Sequence, residues 1–346
     1  MKICFFAKVE SRDVLEKVGF YADDLRALRE LGHDVVIATH FNDIPWDVDL
    51  YYVWWWSWAF MPLLKAKLVR KPVVICGVFD YATPPRGLGV AYLDRPAWQQ
   101  FLFRTALRFA NANIFISEYE RQEISSRFVV RNPYYVPCVV DTEKYHPLEN
   151  PVRQHVLSVA WSGTVNAQRK CLPQIIEAFA KVAPKHPGVR LQMAGRKGDY
   201  QAQLEQLARN LGVADRVDFL GTVSEADKLR LMQTCLVYMQ PTLFEGFGLA
   251  TAEAMACGAA VVSSPVGAVP EVVGDAGLMV NPNDVDEIAA ALDRLLSDDA
   301  LRMACQVKAR ARMLKYFQFE RRRRELGEIL DRTAQRGVAD RAVGSV

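Results

Sequence analysis

Apolar runs and amphipathic stretches alternate along this chain with the spacing of strands and helices. The opening run MKICFFAKV reads as a short buried strand, and the polar stretch that ends at Gly19 reads as a loop. Residues 20–31 place Leu25, Leu28 and Leu31 on one helical face; Gly32 stops that helix, and DVVIAT (34–39) is a second strand. Strand, helix and strand in this order form a βαβ unit, which requires parallel strands and a right-handed crossover. The alternation continues with strands at 48–55, 72–78, 113–117 and 134–140 and helices at 62–70 and 96–110. A polar segment with two prolines, 139–154, then reads as a linker.

A second series follows. Strands are expected at 156–162, 189–195, 217–221, 236–241 and 259–264, with helices at 171–184, 200–211, 224–234 and 249–257 and a final helical stretch. Two successive halves of this kind predict an α/β protein made of two Rossmann-like, doubly wound domains with a cleft between them. The last ten residues read as a frayed tail.

Composition narrows the function. The 346 residues suit two domains, and 51% hydrophobic with 24% charged residues is ordinary for a globular chain, so bulk disorder is excluded. A net charge of +3 does not advertise nucleic acid as a partner. Seven scattered cysteines without a Cys-x-x-Cys pair argue against a disulfide framework and against zinc, and favour a reducing compartment. No apolar run reaches the ~18–20 residues that cross a bilayer, and the N-terminus lacks the apolar core of a signal peptide. A cytoplasmic enzyme is the expectation.

The segment 241–274 carries the most chemistry. Glu245 follows a strand and sits in a loop with Gly246 and Gly248, and a helix begins near Leu249. Glycines allow close approach of a ligand to the backbone, and a helix start offers unpaired N–H groups that suit a phosphate. Glu253 lies eight residues beyond Glu245. That spacing is on the order of 12 Å along a helix, beyond the ~5–5.5 Å carboxyl separation of retaining glycosidases. The two acids therefore suit opposite ends of an elongated ligand, a sugar at one and a ribose diol at the other, with phosphates between.

Glu245-Gly-Phe-Gly-Leu and Glu253-Ala-Met-Ala-Cys-Gly258, with VLSVA (156–160), Arg169-Lys170, IIEAF (175–179), LQMAG (191–195), RVDFLG (216–221) and GDAGLMVNPND (274–284) in order, resemble the family 4 (group 1) glycosyltransferases of the GT-B fold. The first half matches more weakly, through Gly19, 32–39, 116–118 and 139–147. The resemblance implies a retaining hexosyltransferase that draws on a nucleotide-sugar donor as substrate, with no metal and no other cofactor. It implies that Glu245 contacts the donor sugar and Glu253 the ribose, that the amides of Phe247, Gly248 and Leu249 face the phosphate and sugar, and that Lys170 neutralises the diphosphate. It also implies an acceptor-binding domain at 1–150, a donor-binding domain at 151–315, and a helix at 316–336 that crosses back to the first.

Four positions depart from the family pattern, one of them the usual Asn-Gly before Val-Asp, which is Cys138-Val139. Gly-Arg after the first strand of the second domain is Ala160-Trp161, which leaves Arg169 as the candidate second cation; Lys-Gly is Lys170-Cys171; and His-Asp after the fourth strand is Phe79-Asp80. Asp80 with Trp55, Trp56 and Trp58 is the candidate acceptor side, because the cluster ends a strand and aromatic faces stack on sugars. The acceptor class stays open between a glycan, a lipid-linked molecule and a small molecule. Basic residues beside the tryptophans also leave open a peripheral contact with the inner face of the membrane. The run Arg321–Arg324 reads as a solvated helix face, and Asp284 as a helix cap. Rival readings are a sugar-nucleotide epimerase or hydrolase of the same fold, or a catalytically weak nucleotide-sugar-binding subunit.

Overall fold

The apolar runs form two separate six-stranded parallel sheets in the computed structural model, which describes residues 1–82 and 91–343, with side chains as far as residue 335. The chain divides into two units. One comprises Met1–Val139 together with the residues from Phe319 onward; the other is Val140–Gln318.

The first unit runs β1 (Lys2–Ala7), α1 (Arg12–Lys17), α2 (Gly19–Glu30), β2 (Asp34–Ala38), β3 (Leu50–Trp54), α3 (Phe60–Leu68), β4 (Val73–Gly77), α4 (Ala97–Phe109), β5 (Ala112–Phe115), α5 (Glu118–Arg127) and β6 (Pro133–Tyr135). Its strand order is β2-β1-β3-β4-β5-β6. β3 and β4 are buried along their whole length, as parallel strands covered on both faces must be. The polar stretch before Gly19 is not a loop: it contains α1, whose one buried residue is Leu15, and Gly19 begins α2. α5 gave no apolar signal because only Glu120 and Ile124 are buried in it; the Ser117 hydroxyl caps it by accepting from the Glu120 amide at 3.3 Å.

The second unit runs β7 (His155–Val159), α6 (Thr164–Arg169), α7 (Leu172–Val182), β8 (Arg190–Ala194), α8 (Gln201–Asn210), β9 (Val217–Gly221), α9 (Glu225–Thr234), β10 (Cys235–Gln240), α10 (Leu249–Ala256), β11 (Ala260–Ser263), α11 (Val269–Val273), β12 (Gly277–Met279), α12 (Val285–Ser297) and α13 (Asp299–Tyr316). Its strand order, β12-β11-β10-β7-β8-β9, is that of a doubly wound dinucleotide-binding sheet. Asp284 caps α12 by accepting from the amides of Asp286 and Glu287.

The chain then returns to the first unit as α14 (Phe319–Val343), so the expected frayed tail is helical as far as Val343. α14 corrects a second expectation. Within Arg321–Arg324, Arg322 is fully buried. Its Nε and Nη2 donate to the Asp24 carboxylate of α2 at 2.5 and 3.0 Å, its Nη1 donates to the Val136 and Pro137 carbonyls at 2.9 and 2.8 Å, and its Nη2 reaches Cys76 Sγ at 3.6 Å. Asp24 also accepts from the Tyr52 hydroxyl at 2.7 Å and the Trp54 indole at 3.0 Å. Every donor of the guanidinium is used, which is what makes burial of this ion pair tolerable.

Removing one partner would strand the other charge. Arg322→Ala is therefore expected to cost about 3–5 kcal/mol of unfolding free energy, whereas Arg324→Ala, on the exposed side of the same run, should stay within about 0.5 kcal/mol of wild type. Denaturant titration of the two variants side by side checks this.

Candidate active site

In the second sheet β10 and β7 are neighbours, and the chain winds outward from them in opposite directions. The carboxyl ends of such a pair are where an open α/β sheet leaves a crevice for a ligand. β7 leads through Ala160–Gly163 into α6, which ends at Arg169 and Lys170. β10 leads through Pro241–Gly248 into α10. Topology thus brings together two motifs that lie 75 residues apart in sequence.

Their meeting point is an ion pair. Lys170 Nζ donates to Glu245 Oε2, with the two side chains only 12 and 14% exposed. Burial pulls Lys170 below the ordinary lysine value, and Glu245 opposes that pull. Burial pushes Glu245 up, but Lys170 and Arg169 outweigh it, and the carboxyl sits below its ordinary value. Arg169 braces the loop: its Nη1 donates to the Phe244 carbonyl at 2.8 Å and its Nη2 to Asn166 Oδ1 at 2.9 Å, and it lies 3.8 Å from Glu245 Oε2. The Arg169 carbonyl in turn accepts from the Leu243 amide at 2.8 Å and the Thr242 hydroxyl at 2.9 Å.

The backbone around the pair is tightly set. Cys171, at the position where the family pattern has glycine, adopts φ 52° and ψ 40° and is fully buried. A left-handed residue other than glycine costs roughly 1–2 kcal/mol. The Glu245 carbonyl accepts from the Ala268 amide at 2.9 Å, and a Cβ on Gly267 would stand 2.3 Å from that oxygen, so only glycine fits there. Gly248, at φ 91°, turns the chain into α10, whose first amides have no acceptor within the helix. Phe247 is buried against Phe317, with ring centroids 5.5 Å apart, and fixes Gly246 and Gly248 on either side.

Glu253 lies one turn from the C-terminal end of α10. Lys228 of α9 stands 3.2 Å from its Oε2 and 3.0 Å from Glu225. Glu225 also accepts from Lys144 Nζ at 2.9 Å and the Tyr145 hydroxyl at 3.1 Å. Burial raises the Glu253 carboxyl above its ordinary value, and Lys228 acts against the rise. No motif marks Lys228 in the sequence; its role appears only when α9 and α10 pack together. Arg196 is a second residue the sequence did not single out. It follows β8, and its guanidinium lies 4.9 Å from the Trp161 ring centroid, which places a cation beside the residue that stands where the family pattern has arginine.

The remaining candidates lie in the first unit. Trp55 follows β3, beside β1 at that sheet's own reversal of strand order, and holds φ 76° while its indole donates to the Tyr21 hydroxyl at 2.5 Å. Trp58 is exposed, and Asp80 Oδ1 accepts from the Ala82 amide at 3.1 Å. Gly19 has open space about it. Trp56 is not an acceptor wall: at 1% exposure it fills the core, donates to Asn113 Oδ1 at 2.8 Å and stacks on Phe115. Phe79, in place of the family's histidine, is buried and stacks on Phe103 with centroids 3.8 Å apart. Among the described residues no group of three or more His, Cys, Asp or Glu gathers as metal ligands, and no helix is long and apolar enough to cross a membrane.

Comparison with known proteins agrees with this arrangement. Residues 162–312 match the family described as glycosyl transferases group 1. The MMP alpha-(1->4)-mannosyltransferase of Mycolicibacterium hassiacum is 35% identical over 166 residues, 47% of this chain and 39% of that protein. The O-antigen chain mannosyltransferase B of Escherichia coli is 29% identical over 252 residues, 66% of this chain and 62% of that protein. The chain thus spans less than two thirds of the length of either relative. The crystal structure of Anabaena HepE in complex with UDP superposes with a TM-score of 0.76 at 19% identity, covering 96% of this chain and 100% of that one. Two parallel sheets in these strand orders, with the Glu245 and Glu253 segments at the carboxyl edge of the second, are the GT-B architecture, and residues 162–312 are similar to the group 1 glycosyltransferases.

Proposed function

We propose that the protein transfers a hexose from a nucleotide-diphosphate sugar to an acceptor hydroxyl with retention at the anomeric carbon, and that it needs no metal ion. The observation that carries this reading is the buried Lys170–Glu245 pair beside the open start of α10. Breaking the glycosidic bond puts negative charge on the leaving diphosphate, and a fixed cation with convergent amides in a secluded site stabilises such charge. Lys170 supplies the cation and the first amides of α10 the dipole. Glu245 keeps Lys170 charged before the donor arrives and then faces the sugar. A carboxylate held by a lysine is a poor nucleophile, so the departing phosphate itself takes the acceptor proton, on the face from which it leaves. Glu253 accepts from the ribose hydroxyls.

The relatives named as mannosyltransferases make mannose the first sugar to try. The acceptor belongs to the first unit, near Trp55, Trp58 and Asp80, and is a glycan, a lipid-linked sugar or a small alcohol. Rates measured with a panel of nucleotide sugars, before and after EDTA, test the reading, together with the anomeric configuration of the product by NMR. Product with the donor's configuration and an EDTA-resistant rate is expected. Inversion, or a loss in EDTA restored by manganese, would contradict it, and a free monosaccharide formed equally well without acceptor would favour a hydrolase.

The Glu253 environment gives a pH prediction. The carboxylate must be ionised to accept from both ribose hydroxyls. Burial already raises its pKa, so nucleotide affinity is present above that pKa and is lost as pH falls through it. Lys228→Met removes the opposing cation, so the acid-side fall should begin at higher pH than in wild type, and Lys228→Arg should restore much of the difference. Calorimetric titration of bare nucleotide from acid to neutral pH reads the shift directly. A profile unchanged in Lys228→Met would show that the pair does not set the charge of Glu253.

A further inference from the structure

α3 and α4 lie on the same face of the first sheet. Leu63 and Ala66 of α3 and Phe103, Ala106 and Leu107 of α4 enter one buried cluster, so the opposite faces of both helices point together to solvent. Those outer faces are apolar. On α3, Phe60, Leu64 and Leu68 recur every fourth residue at 42, 44 and 67% exposure; on α4, Trp98, Phe101 and Phe109 are 59, 62 and 46% exposed. Single exposed apolar residues are common, but two neighbouring helices with apolar outer faces mark an interaction surface.

The two helices themselves carry charge of one sign only. The stretches 50–79 and 95–117 contain both helices and hold seven Lys and Arg without a single Asp or Glu, in a chain whose net charge is only +3. Lys71 pairs with Asp49, Lys65 donates to the Ile44 carbonyl and Arg95 to the Ser57 hydroxyl, while Arg104 donates to the Gln100 carbonyl of its own helix at 3.4 Å and Arg108 lies over the Phe109 ring. Lys67, Arg70, Arg104 and Arg108 are exposed beside the apolar stripes.

We propose that the outer face of α3 and α4 docks the protein on an anionic lipid surface. Leu64, Leu68, Trp98 and Phe101 enter the boundary between headgroups and acyl chains, and the four exposed cations meet the lipid phosphates. Leucines and large aromatics on one helical face with Lys and Arg alongside suit that boundary. A second copy of the chain is disfavoured as the occupant, because two such faces would oppose cation to cation with no carboxylate between them.

Flotation of the full chain with vesicles tests this without any sugar donor, so its outcome is independent of the proposed transfer reaction. The protein should float with vesicles of phosphatidylcholine mixed with phosphatidylglycerol, less so as salt is added, and not with phosphatidylcholine alone. Arg104→Gln and Arg108→Gln should each weaken partitioning about fivefold. Leu68→Ser with Phe101→Ser should weaken it about tenfold or more. All four positions are partly or fully open to solvent on the helices' outer sides, and unchanged unfolding temperatures would confirm that the variants fold. No flotation, equal flotation on neutral vesicles, or wild-type flotation by the variants would overturn the proposal. So would concentration-dependent self-association that is lost in Phe101→Ser, which would assign the face to a second copy.

Discussion

Lys170 carries its charge in a place where burial works against it. The Glu245 carboxylate offsets that penalty, and the surroundings hold the carboxylate in turn. Arg169 ties the Phe244 carbonyl to α6, Gly267 lets the Ala268 amide reach the Glu245 carbonyl, and the left-handed Cys171 lets α7 start immediately after Lys170. Strain at Cys171 and the close approach at Gly267 are the kind of local cost that persists only where surrounding structure enforces it. In the proposed reaction a donor diphosphate meets a lysine already charged and already placed, with little reorganisation left for the bond-breaking step.

The first unit uses the same device for a different end. Asp24 and Arg322 are more deeply buried than Lys170 and Glu245, and every polar atom of the pair is satisfied. The guanidinium ties α14 to α2, to the backbone beyond β6 and to β4 at Cys76. Nothing in it is left for a ligand, so it holds the fold. The pair at Lys170 differs because an open helix start and a strand edge lie beside it, and a ligand can compete for the cation.

The sequence exposed what depends on local period and on motif spacing. Alternating apolar runs announced both sheets, and the glycines around Glu245 announced a loop that enters a helix. Residues whose meaning depends on helical phase over long distances stayed hidden. Arg322 differs from Arg321 and Arg324 only in pointing toward an acid 298 positions earlier. Trp56 is indistinguishable from Trp55 and Trp58 until the short turn after β3 sends its ring toward Phe115. Lys228 looks like any charge on an amphipathic helix until α9 lies against α10. The exposed faces of α3 and α4 were masked for another reason: apolar residues all round a short helix read as core, and the sheet can cover only one side.

The proposed reaction depends on the charge of Lys170. The most direct test is the turnover of Lys170→Met with a good donor, alongside its affinity for bare nucleotide and its unfolding temperature. The expectation is a folded protein whose kcat falls by about 10²–10³, with nucleotide affinity changed far less. A folded Lys170→Met variant that turns over within a factor of about two of wild type would contradict it, because the cation would then not be what stabilises the departing diphosphate.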